Sequence, residues 1–137
     1  MLDKTDLEII SLLKQNAIMQ LKDIGERVHL TGQAVSNRIQ RIEALGVIRG
    51  YTVKLDEEKL GKHLSAYITI FMKTTDHAAF HKFINGSDAV TEADRISGDG
   101  CYIVKVNVST QDELSQFLDS ILQYGNYRVN ISIGKIK

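Results

Sequence analysis

The sequence predicts an α+β chain in two parts, three helices and then a β-α-β-β-α-β unit, on three observations. Apolar residues recur at three- and four-residue intervals from Thr5 to about Leu45. Two-residue alternation between helical stretches begins at Leu64. Between the two, Asp56 to Lys62 is charged and holds Leu60 as its one apolar side chain, as a solvated linker or short helix would. The chain therefore divides into residues 1–50, a linker strand and hinge at 51–63, and residues 64–137.

In the first part, Asp3 caps a helix whose core face is expected at Leu7, Ile10 and Leu13 or Lys14, with Asp6 placing negative charge near the positive end of the helix dipole. That helix ends around Asn16. A second runs from about Leu21 to Val28 with Leu21, Ile24 and Val28 on one face. A third follows the N-cap Thr31, buries Val35, Ile39 and Ile42, and stops at Gly46. Only His29-Leu30-Thr31 joins the second and third helices, so they cross sharply. Gly25 supplies a small residue for that crossing, where a mid-helix glycine costs about 1 kcal/mol relative to alanine, and Leu30 plugs the corner. The arrangement is that of a helix-turn-helix.

The third helix then points Gln33, Ser36, Asn37, Gln40 and Arg41 outward, side chains that pair with base edges or grip phosphate. Thr31 and the first amides of the helix suit a phosphate oxygen. Val47 to Val53 reads as a strand, which makes the unit a winged-type variant with Arg49 near the DNA backbone. The candidate DNA-binding residues are Thr31, Gln33, Ser36, Asn37, Arg38, Gln40, Arg41 and Arg49, and the partner is double-stranded DNA. The competing reading is an ordinary three-helix bundle with a solvated polar face.

In the second part, Ala66, Ile68, Ile70 and Met72 alternate with Tyr67, Thr69, Phe71 and Lys73, so both faces of the first strand are partly apolar. A helix near His77 to Ile84 turns Phe80, Phe83 and Ile84 inward, and Asn85-Gly86 closes it. A strand at Val90 to Ser97 and another at Tyr102 to Val108 form a hairpin across Gly98-Asp99-Gly100. Leu114, Phe117, Leu118, Ile121 and Leu122 make one helical stripe, Gly125-Asn126 is its expected stop, and Val129, Ile131 and Ile133 alternate along a last strand. This order is that of a ferredoxin-like sheet with two helices on one face, whose open face a second subunit would cover.

Composition bounds the function. With 17 basic and 17 acidic residues the formal charge is zero, so a DNA-binding reading requires several linked copies. No apolar run approaches the roughly 20 residues of a membrane span. The single cysteine, Cys101, and an opening segment without secretory character place the chain in the cytoplasm. His77 and His81 have the i,i+4 spacing of zinc ligands but lack a third ligand in nearby sequence, so no metal is expected. Asp94 and Asp99 read as a solvated turn edge, and no phosphate-binding glycine loop, cofactor motif or nucleophile-base pair occurs. An enzyme is the weakest reading.

Several stretches together resemble the Lrp/AsnC (leucine-responsive or feast/famine) regulators. Leu2-Asp3 with Asp6 and Ile10 to Leu13 is similar to the family's opening. Val28 to Thr31 and Arg38 to Glu43 resemble its turn and recognition helix, and Gly46 to Tyr51 its linker signature. The resemblance implies an N-terminal DNA-binding domain and a C-terminal domain that binds an effector and oligomerises, with sheet-mediated dimers often assembling into octamers that wrap DNA. It also implies control of amino-acid metabolism genes on the nucleoid. The family's Gly-x-Tyr-Asp-like effector loop corresponds here to Gly98, Asp99, Gly100, Cys101 and Tyr102, with glycine and cysteine where tyrosine and aspartate are usual. His29 stands where glycine is typical, and Gly25 where alanine is. The Gly100 and Cys101 departures carry the alternative of an architectural DNA-binding protein without a small-molecule effector.

Overall fold

The computed structural model describes all residues from Met1 to Lys137, in two compact units, Met1–Lys54 and Leu55–Lys137. The first holds α1 (Lys4–Gln15), α2 (Leu21–Val28) and α3 (Gly32–Ala44). Asp3 and Asp6 cap α1 reciprocally: the Asp6 N–H donates to the Asp3 carboxylate at 2.8 Å and the Asp3 N–H to that of Asp6 at 2.9 Å. The core joins Ile9, Ile24, Val28, Val35 and Ile39, flanked by Leu12, Leu13, Met19 and Leu30. The face of α1 differs from the expectation. Ile9 is buried, while Leu7 is 56% exposed and lines an open groove with Ile10, Ser11 and Lys14. Asp6 faces inward with its guanidinium partners on α3, and residues three and seven further on, Ile9 and Leu13, share its face.

The strand expected at Val47 to Val53 does not form. Gly46 takes φ +74 and ends α3 as expected, with the Val47 N–H returning to the Ile42 carbonyl. A strand needs a neighbour for its N–H and C=O groups, and the unit contains no other extended segment to supply one. The unit is an unwinged helix-turn-helix within the chain, with Val53 exposed.

The second unit runs β1 (Leu64–Met72), α4 (His77–Asn85), β2 (Val90–Arg95), β3 (Tyr102–Val108), α5 (Gln111–Ile121) and β4 (Gly125–Ile131). The sheet order is β2-β3-β1-β4 with every pair antiparallel, the predicted ferredoxin-like topology. Ala66, Ile68, Ile70, Val104 and Val106 pack against Phe80 and Ile84 of α4 and Leu114, Phe117 and Ile121 of α5. Both helices therefore cover one face. Two details at the C-terminal end depart from the expectation. Gly125 opens β4 instead of stopping α5, because a Cβ there would overlap the Phe71 carbonyl oxygen on β1. Ile133 lies beyond the end of β4, and Leu122 is half exposed past the end of α5, outside the buried stripe of that helix.

Candidate nucleic-acid interface and effector stretch

The corner between α2 and α3 is built by two backbone requirements. A Cβ on Gly25 would overlap the Leu30 carbonyl oxygen, so glycine lets the turn fold back on α2. His29, at φ 59 and ψ 43, ends α2 in the left-handed region, and the Leu30 N–H closes onto the Gly25 carbonyl at 2.9 Å. Thr31 then caps α3, its hydroxyl accepting from the Ala34 N–H at 3.1 Å.

These constraints aim α3. Val35, Ile39 and Ile42 are buried, while Gln33, Asn37 and Gln40 are exposed at i, i+4 and i+7, a single outward stripe with Ser36 half-buried beside it. The Gln33 side-chain amide donates to the Asn37 side-chain Oδ1 at 3.0 Å, which aligns the two polar groups along the helix. Arg49, after the helix, is exposed.

Arg38 and Arg41 sit differently from the rest of the predicted set. The Arg38 guanidinium donates to Asp3 at 2.7 Å and to Asp6 at 3.0 Å. Arg41 pairs with Asp6 and reaches the Met1 carbonyl at 3.3 Å. The Asp3 N–H, then the Arg41 and Arg38 guanidiniums, hold the Asp6 carboxyl down at about 2 against the opposing effect of burial. Both arginines tie α3 to α1, and each keeps part of its surface in solvent. The carboxylates escaped the sequence reading, which gave them a capping role only; a buried acidic position facing arginines on another helix leaves no local periodic signal.

In the second unit the predicted effector stretch divides. Gly98 and Gly100 take φ +113 and +89, and Asp99 is exposed at the turn. A Cβ on Gly100 would meet the Thr69 Cγ2 at 2.6 Å, so a side chain here requires Thr69 to move, and the positive φ adds strain. Cys101 is half-buried, its N–H on the Ile70 carbonyl at 2.8 Å. Tyr102 is 3% exposed and faces the core, its ring 4.6 Å from that of Phe80 and its hydroxyl between His77 and His81. The turn thus brings Gly98, Asp99 and Cys101 together at the surface and sends Tyr102 inward.

A crossed helix pair that exposes an amide stripe, in a chain that also carries a separate sheet unit, is the organisation expected of a two-part DNA-binding regulatory protein. Comparison with known proteins gives the lineage. The AsnC-type helix-turn-helix domain matches residues 2–43, and the Lrp/AsnC ligand binding domain matches residues 65–137. The chain belongs to the Lrp/AsnC family of transcriptional regulators, and it is a regulator and not an enzyme. It is 43% identical to the HTH-type transcriptional regulator LrpB of Bacillus subtilis over 99% of this chain and 91% of that protein. The structure of B. subtilis LrpC superposes with a TM-score of 0.94 at 26% identity, covering 100% of this chain and 98% of that one. A Neisseria meningitidis regulator, NMB0573, solved as an L-Met complex, shares the fold at a TM-score of 0.92 and 24% identity, over 100% of this chain and 93% of that one. No helix is long and apolar enough to cross a membrane.

Proposed function

We propose that the chain is a sequence-preferring regulator that lays α3 in the major groove of double-stranded DNA, works in the cytoplasm on the nucleoid, and governs genes of amino-acid metabolism. The observation that carries the groove assignment is the exposed stripe of Gln33, Asn37 and Gln40 on a helix aimed by the Gly25 crossing. Thr31, Arg49 and the solvent-facing parts of Arg38 and Arg41 take phosphates, and Ser36 flanks the stripe. Zero net charge supports action as a homo-oligomer, a dimer assembling toward an octamer that bends or wraps DNA. Binding of the chain's own promoter DNA in a retention assay tests this: affinity falls steeply with salt, and a protein without salt-sensitive retention refutes it.

The Gly98–Cys101 turn is the proposed amino-acid effector stretch, and the L-Met complex of the Neisseria neighbour supports that ligand class. One observation favours the architectural reading instead: Gly100 sits against Thr69 at a positive φ and, being glycine, offers no side chain to a ligand. Calorimetry against the twenty amino acids separates the two. Saturable heat supports an effector, and none across the set supports a protein that organises DNA without one.

A further inference from the structure

The sheet face opposite the helices carries its charge unevenly. Residues paired across neighbouring strands share a face, and the register lays out two rows there: Glu92, Lys105, Tyr67 and Asn130, then Asp94, Ile103, Thr69 and Arg128. Glu92 stands opposite Lys105 across β2 and β3. Asp94 and Arg128 instead lie on the two outer strands of one row, three strand spacings or about 14 Å apart. Both are exposed, and neither enters an ion pair within the chain. Acid marks one edge of the face and a guanidinium the other, with Ile103, Tyr67 and Phe71 between them. We propose that this face receives the same face of a second copy with the two-fold axis running along the strands, so that Asp94 of each copy pairs with Arg128 of the other. This contact presupposes the homo-oligomer proposed above and gives it an orientation.

Symmetry decides between the orientations, because a two-fold contact uses one patch twice. Rotation about an axis along the strands sets β2 over β4 and β3 over β1 and leaves each row facing itself, so Asp94 meets Arg128 at both edges. Rotation about an axis across the strands sets β2 over β2. Glu92 and Asp94 of the two copies then crowd together at one edge and the two Arg128 side chains at the other, and like charges juxtaposed at an interface are costly. An orthogonal crossing lays each acidic edge over strand ends, away from Arg128. Sheets packed face to face stand about 10 Å apart, a gap that an arginine and an aspartate bridge from opposite sides. The apolar centre is buried in the contact, and the two edge pairs set its register and its choice of partner.

The test is sedimentation velocity of the full chain across a concentration series, with circular dichroism to confirm that each variant is folded. Asp94→Arg sets arginine against Arg128, and Arg128→Asp sets aspartate against Asp94. Each alone is expected to raise the dimer dissociation constant on the order of a hundredfold, since symmetry places two like-charge pairs in the contact. The two variants mixed in equal amounts recover the wild-type association, and so does the chain that carries both substitutions, in which each pair is inverted. Single variants as associated as the wild type, or a doubly substituted chain as weak as the single ones, overturn the orientation while the homo-oligomer stands, and free this face for another partner. A wild-type chain that stays monomeric overturns both.

Discussion

Asp6 ties α1 to α3 from a buried position. Its side chain is inaccessible to solvent, yet it accepts hydrogen bonds from the Asp3 backbone and from two arginines on α3. Its folded value of about 2 lies below the ordinary aspartate value of about 3.9. A depressed acid stabilises the fold above the unfolded value, and that contribution disappears as pH falls through about 4 toward 2. Asp6→Asn is expected to cost about 1–3 kcal/mol at neutral pH, because the negative charge is lost and one of the two oxygens that receive the guanidiniums becomes an NH2 donor. Urea denaturation at neutral pH and near pH 3 checks this: the gap between wild type and variant narrows in acid, and a gap independent of pH contradicts the assignment. Gly25→Ala gives a second measure. Alanine favours a helix interior by about 1 kcal/mol, but here its Cβ collides with the fixed Leu30 carbonyl. Net destabilisation of about 1–3 kcal/mol in the same assay is expected, and a stabilised variant would show that the corner is not tight.

On α3 the residues separate by what they touch, and two substitutions should separate by what they change. Asn37 faces outward with Gln33 and is a base-reading candidate, so Asn37→Ala should lower discrimination between operator and non-operator DNA by about 1–3 kcal/mol. Its salt slope should stay unchanged. Arg49 is exposed without an ion-pair partner, and Arg49→Ala should weaken all sequences alike and flatten the salt slope by about one. Filter binding on two DNAs across a salt series distinguishes them. The helix itself was legible because Thr31, Val35, Ile39, Ile42 and Gly46 are local signals of cap, core face and stop. The Gly98-Asp99-Gly100 hairpin was legible for the same reason. What escaped was set by partners distant in sequence. The rotation of α1 follows from arginines 32 and 35 residues away. The missing strand at Val47 to Val53 follows from the lack of a neighbour, which no window of residues records. The inward turn of Tyr102 follows from the alternation of β3 across a sheet whose helices lie on one side.

The whole molecule has no surplus charge with which to hold DNA, and the proposed oligomer would supply affinity by number instead. The sheet offers a surface for that. Opposite the helices, Tyr67 is 40% exposed, and Ile103 and Phe71 share its face, with Lys105 and Arg128 lying 5.6 Å over the Tyr67 and Phe71 rings. Apolar rings bordered by cations can pack against a second copy, whereas a carboxylate introduced among them would have to give up its water in a buried interface. Tyr67→Glu is tolerated by the isolated unit, because the side chain lies outside the helix-covered core and Lys105 stands opposite it. Sedimentation velocity should therefore show the variant folded but shifted toward monomer. Its affinity for DNA with several operator repeats should fall by about 10²–10⁴, the gain that linkage supplies, with a much smaller loss on a single half-site. A variant that stays oligomeric, or that loses the same factor on both DNAs, would mean that the copies are joined elsewhere than through this face.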